Sequence, residues 1–132
     1  MSTYSDYISS ALQIIGVLDE IQSASAEQGS HGLTVFNDMM ADWEALGINL
    51  AYVPASSASA TLEIAPRYRQ CVKANLALRL CAYYGSTPSA MLVAMAIDGY
   101  GRVLKDAVAG QMTVTDLGTM TSGGATESIL TG

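Results

Sequence analysis

Pro66-Arg-Tyr-Arg-Gln-Cys-Val-Lys-Ala-Asn-Leu-Ala-Leu-Arg-Leu-Cys-Ala-Tyr-Tyr-Gly85 is the stretch on which the reading of the fold turns. Proline suits the first turn of a helix, where its missing N–H would have no partner anyway. Gly85 suits the left-handed position that ends one. Between them Cys71, Val72, Ala74, Leu76, Ala77, Leu78, Leu80 and Cys81 leave little polar face. A helix that is apolar on most sides must be covered on most sides, so this one is expected at the centre of a helical domain. Ten helical residues separate Cys71 from Cys81 by about 15 Å, beyond the roughly 7 Å between Cα atoms that a disulfide spans. Reduced thiols and an intracellular setting are the expectation.

Upstream, Ile48 to Val53 carries Ile, Tyr and Val and reads as a strand, with Thr61 to Ile64 as a possible return. That predicts a β-hairpin over about 48–64, its tip in the small polar run containing Ser56, Ser57 and Ser59. Before it, Leu33, Phe36, Met40, Trp43 and Leu46 recur on one helical face, and Gly47 supplies the stop. Ser23 or Ser25 could cap this second helix, with Gly29 and Gly32 inside it. Tyr4, Ile8, Ala11, Leu12 and Ile15 predict a first helix over about 4–15, capped by Thr3 or Ser5 and closed by Gly16. Downstream, Ser86 or Thr87 caps a fourth helix over about 88–109, whose apolar side is Leu92, Met95, Ala96, Val103, Leu104 and Val108. From residue 110 the composition changes: thirteen of the last 23 residues are Gly, Thr or Ser, and none is Lys or Arg. Such a segment buries too little to order itself and reads as an extended tail that docks on a partner. The prediction is a mainly α fold, a four-helix domain over 1–109 with a β-hairpin between helices 2 and 3, followed by a tail over 110–132.

The chain has 132 residues, half of them hydrophobic, and only 14% are charged. Mean hydropathy is +0.28. A chain this apolar is a poor candidate for overall disorder, and some of its apolar surface is expected to lie under a partner. The longest apolar run, Ala90 to Ile97, falls far short of the roughly 20 residues of a membrane span. No apolar stretch near the start reads as a secretion signal. The net charge of −6 argues against nucleic-acid binding, which draws its affinity from Lys and Arg. The charge is also divided. Residues 1–66 hold eight acids and no Lys or Arg, while residues 67–105 hold all six bases against Asp98 alone.

The pattern offers little chemistry. One histidine (His31) and two helix-borne cysteines do not supply the three or four ligands of a zinc site. No Gly-x-Ser-x-Gly elbow is present. Gly99-Tyr-Gly101 lacks the preceding strand and following Gly-Lys-Ser/Thr of a phosphate loop. Asp38 and Asp42 stand one turn apart on what reads as a solvated face, not in a cleft. Phe36, Met40 and Trp43 are core anchors, with a Met-lined partner groove as the other reading. Arg67, Arg69, Lys73 and Arg79 spread around the third helix and form no single stripe. Pairing with the acidic first half, within the chain or across a subunit boundary, is the reading preferred over a DNA patch.

Four segments together resemble one family. Ser10-Ala-Leu-Gln-Ile-Ile-Gly-Val-Leu18 resembles its short opening helix and turn, and Met39-Met-Ala-Asp-Trp-Glu-Ala-Leu-Gly-Ile48 the end of its second helix. Ile64-Ala-Pro-Arg-Tyr68 and Ala82-Tyr-Tyr-Gly85 resemble the start and exit of its third. The family is that of the head-to-tail adaptor, or packaged-DNA stabilisation, proteins of tailed bacteriophages. Those of short-tailed phages that use a tail accessory factor are the nearest, and the likeness spans about residues 6–109. It implies a structural virion protein, assembled in the host cytoplasm, with neither catalysis nor a cofactor. Copies would form a ring, typically of twelve, below the portal protein. The ring would extend the DNA channel, help retain packaged DNA and carry a downstream tail or nozzle protein. DNA would pass without sequence-specific binding, since twelve copies at −6 carry −72. Arg67, Arg69 and Lys73 are the candidate subunit or portal contacts in the domain, and Met112, Val114, Leu117, Met120, Ile129 and Leu130 those in the tail. A small helical regulator or antitoxin-like binding protein is the alternative, and an enzyme a more distant one.

Overall fold

The computed structural model describes residues 2–50 and 52–111. Its order is β1 (Ser2–Thr3), α1 (Tyr4–Ile14), α2 (Ala26–Ala45), β2 (Thr61–Leu62), α3 (Pro66–Tyr84) and α4 (Ala90–Gln111). The fold is mainly α, with four helices and one small antiparallel sheet. The tail residues from Met112 onward lie outside the described residues.

Local chemistry sets the helix ends. Thr3 accepts the Asp6 N–H at 3.1 Å, and Asp6 returns the bond to the Thr3 N–H at 2.9 Å. Ser25 and Gln28 make the same reciprocal pair at the start of α2, at 3.1 and 2.9 Å. Each such box satisfies two of the N–H groups that a helix start leaves open. Gly16, Gly47 and Gly85 follow α1, α2 and α3 with φ of 81°, 90° and 68°. These are left-handed values that glycine adopts without strain.

The helix starting at Pro66 is indeed central. Val72, Leu76, Ala77 and Leu80 of α3 are fully buried. α1, α2 and α4 all pack against it. Two glycines let neighbours come close. A Cβ on Gly32 of α2 would fall 2.5 Å from Ile8 Cγ2 of α1. One on Gly99 of α4 would fall 2.8 Å from Cys71 Cβ of α3. Side chains at such distances force strain of about 1–3 kcal/mol. Gly99→Ala is therefore expected to lose about 1–3 kcal/mol, despite the better helix propensity of alanine. Urea unfolding of the purified variant measures it, and a gain in stability would refute the close packing of α3 on α4.

The hairpin expected over 48–64 is corrected. Thr61–Leu62 does form a strand, but its partner is Ser2–Thr3, in register Ser2↔Leu62 and Thr3↔Thr61. The described residues of 48–53 form no strand. They lie along the helices, held by side chains. The Tyr4 hydroxyl donates to the Val53 carbonyl and the Tyr52 hydroxyl to Asn37 Oδ1. Asn37 Nδ2 in turn donates to the Ala55 carbonyl at 3.1 Å. Tyr4 and Ser5 N–H, open at the start of α1, donate to Ala60 O at 3.1 Å and Ala58 O at 2.8 Å. The loop thus completes the start of α1, which a local hairpin would have left to water.

Three smaller expectations also change. Leu46, expected on the buried face, caps α2 and is 59% exposed. Met95 and Val108 of α4 point outward. The residue capping α4 is Ser89, whose hydroxyl accepts the Leu92 N–H at 3.1 Å, in place of Ser86 or Thr87.

Candidate assembly surface

The cations singled out on α3 have different fates. Arg67 is exposed, its guanidinium 4.8 Å from the centre of the Tyr68 ring. Arg69 turns inward and donates from Nε to the Ile64 carbonyl at 3.1 Å. Lys73 is half-buried, its ammonium 5.5 Å from the centre of the Tyr7 ring of α1. Arg79 pairs with Asp42 of α2 at 3.1 Å. Among the described residues, pairing between basic α3 and the acidic first half therefore occurs at one point. Both groups of that pair remain substantially exposed, so it contributes about 0–1 kcal/mol. Arg69 and Lys73 serve the chain's own packing, which leaves Arg67 as the outward cation of the three.

The outward cations that the sequence reading passed over are on α4. Arg102 makes an i, i+4 pair with Asp98 at 3.4 Å. Lys105 is exposed and makes no ion pair among the described residues. The Tyr68 hydroxyl donates to Asp106 Oδ2 at 2.8 Å, so Arg67 lies near this end of α4. The signal was available: positions 101, 105 and 108 leave a helix wheel on the side away from Leu92, Ala96 and Val103.

α4 itself is peripheral and rests mainly on α3. Asn75 of α3 ties the two backbones together, its amide donating to Cys71 O at 2.9 Å and Ala96 O at 3.1 Å. Trp43 of α2 meets Tyr100 of α4 edge-on, with ring centres 5.3 Å apart. Phe36, Met40 and Trp43 are all buried. The rings of Tyr4, Tyr7 and Tyr52 surround Phe36 at 5.1 to 6.1 Å.

Ser56, Ser57 and Ser59 are exposed. Together with Ser25, Gly29 and Ser30 of the α2 start they line an open cleft of about 400 Å³. The Ser57 and Ser59 hydroxyls lie 2.8 Å apart. Met112, Val114, Leu117, Met120, Ile129 and Leu130 lie outside the described residues.

The described residues bring together no three His, Cys, Asp or Glu side chains that could hold a metal ion. His31 is exposed against the rings of Tyr83 and Tyr84, at 4.9 and 5.9 Å. Burial pushes both cysteine thiols above their usual pKa, which favours the inert thiol. Among the described residues no helix is long and apolar enough to cross a membrane. What the surface does offer is exposed aliphatic area. Met91, Ile97 and Val108 of α4 are 73%, 66% and 45% exposed, an arrangement suited to contact with other chains.

No curated protein matches the chain. The family model described as P22 tail accessory factor matches residues 1–126, nearly the whole sequence. By that match the chain belongs to the P22 tail accessory factor family and is a structural, tail-associated protein of a bacteriophage virion.

Proposed function

We propose that this protein is a head-to-tail adaptor whose copies form a ring below the portal. The ring extends the DNA channel, helps to retain the packaged genome and presents a platform for the next tail component. The observation that carries this reading is the tail-accessory-factor match over residues 1–126. The exposed aliphatic side chains of α4 support it, because a subunit that must meet neighbours keeps apolar area uncovered until they arrive. The acidic balance supports it too. A wall of net charge −6 per copy does not grip phosphates, so DNA slides past it. The tail over 110–132 is the part that docks on the portal in this reading, through Met112, Val114, Leu117, Met120, Ile129 and Leu130.

Co-sedimentation with the portal oligomer of the same phage tests the proposal. The full chain is expected to bind at about one copy per portal subunit. A chain ending at residue 111, shown folded by circular dichroism, is expected to lose that binding. Absence of binding by the folded full-length protein would refute the adaptor reading. Equal binding by the shortened chain would move the portal contact into the helical domain.

A further inference from the structure

Nothing among the described residues requires glycine at position 101. It lies inside α4, and an added Cβ would meet nothing within 4 Å. Glycine weakens a helix relative to alanine. Two residues earlier, Gly99 has a reason, because Cys71 leaves no room for a side chain. The described part of the subunit leaves this position open, and a missing side chain there lets another backbone approach.

Its neighbours on that face are equally unexplained. Ala90, Ala94, Ile97, Gly101, Leu104 and Val108 follow one another at intervals of 4, 3, 4, 3 and 4 residues. That spacing draws one stripe along about 27 Å of helix, the pattern of a seam that packs against a second helix. Five of the six are exposed, and Leu104 is half-buried. The face that α4 turns to its own core is a different one, made by Leu92, Ala96, Gly99 and Val103.

Charge identifies the occupant. Beside the stripe stand Lys105 and, near the Asp106 end, Arg67, both exposed and outside any ion pair among the described residues. The outward face of α2 carries the complement. Glu27 and Asp38 are exposed and make no ion pair among the described residues, and Thr34, Ala41 and Ala45 between and beyond them are small enough to receive bulky aliphatic knobs. α2 and α4 present different surfaces of one subunit. A contact between α4 of one copy and α2 of the next is heterologous, the kind that propagates around a ring.

We propose that the α4 stripe is the docking site for a second copy of this chain, received against that copy's acidic α2 face, and that this is the lateral contact of the ring. The proposal rests on the ring reading above and adds which faces meet.

Gly101→Leu in the full-length chain, assembled on the portal oligomer and counted by native mass spectrometry, tests it. The free variant is expected to melt no lower than the parent, while ring formation falls at least tenfold. Gly101→Ala is expected to raise the melting temperature of the free subunit by a few degrees. Lys105→Glu alone should weaken the ring, and adding Asp38→Lys in the same chain should restore it. Rings formed equally well by Gly101→Leu would overturn the assignment of the face and leave the ring reading standing. Failure of Asp38→Lys to restore assembly overturns the α2 face as the occupant. A lower melting temperature for Gly101→Ala would mean that residues 112–132 cover the stripe within the chain, and would overturn the proposal as well. If the parent chain forms no ring at all, the ring reading itself fails, and the proposal with it.

Discussion

Phe36→Ala is expected to remove about 3–5 kcal/mol of folding stability, the usual loss for a buried aromatic side chain. A domain of this size has about 5–15 kcal/mol to lose, so the variant should melt about 10–20 °C lower. The size follows from position. Phe36 is fully buried and touches three rings from two other parts of the chain: Tyr4 and Tyr7 of α1, and Tyr52 of the loop before β2. Tyr4 and Tyr52 cannot collapse into the gap without breaking the hydrogen bonds their hydroxyls make to Val53 and Asn37. Phe36→Leu keeps most of the volume and should cost only about 1 kcal/mol. Thermal and urea unfolding of both variants measure the difference, and a loss below 1 kcal/mol for alanine would contradict the packing described here.

The same cluster makes the protein sensitive to alkali. Burial raises the pKa of the Tyr4, Tyr7 and Tyr52 phenols above the ordinary value near 10. For Tyr52 the rise is large, and the neighbouring Tyr4 adds to it. For Tyr7 the Arg69 cation opposes the rise in part. In the unfolded chain these phenols lose their protons near pH 10, whereas in the folded chain they hold them to higher pH. Below pH 10 both states are neutral there and stability is full. Above it the folded state binds more protons, so stability falls as pH rises. A group protonated in the folded state and ionised in the unfolded one contributes a slope of about 1.4 kcal/mol per pH unit. Cooperative unfolding is expected above pH 10, followed by circular dichroism and the phenolate absorbance. Tyr52→Phe should cost about 1 kcal/mol at neutral pH, because Asn37 loses its donor, yet move the alkaline midpoint upward. A midpoint that stays in place would show that other groups drive the transition.

The helical frame was legible because its signals are local. The apolar run of α3 leaves only a narrow side for water, and such a helix belongs at the centre. Ser25 starts α2, and Gly16, Gly47 and Gly85 follow helices with left-handed backbone, since capping and chirality act within a few residues. The block Met39 to Ile48 with Ile64 to Tyr68 also carried a family resemblance, and the match over residues 1–126 agrees at the level of a phage tail protein.

The candidate surface was less legible. Arg69 and Lys73 read as subunit or portal contacts, because a sequence displays their charges and not the carbonyl and ring that surround them. The Tyr7 ring over which Lys73 lies comes 66 residues earlier in the chain. Met95 and Val108 looked like core because amphipathic periodicity does not say how wide a stripe the neighbouring helix covers. α4 lies mainly against α3, so its apolar girth exceeds what one neighbour hides.

The four helices, their order and the central place of α3 follow from periodicity and backbone preference acting over one or two turns. Long-range packing sets the pairing of Thr61–Leu62 with Ser2–Thr3, the close helix contacts at Gly32 and Gly99, and the open space beside Gly101 among the described residues. These depend on which surfaces meet across tens of residues, and contact between distant segments is a property of packing that no local preference encodes.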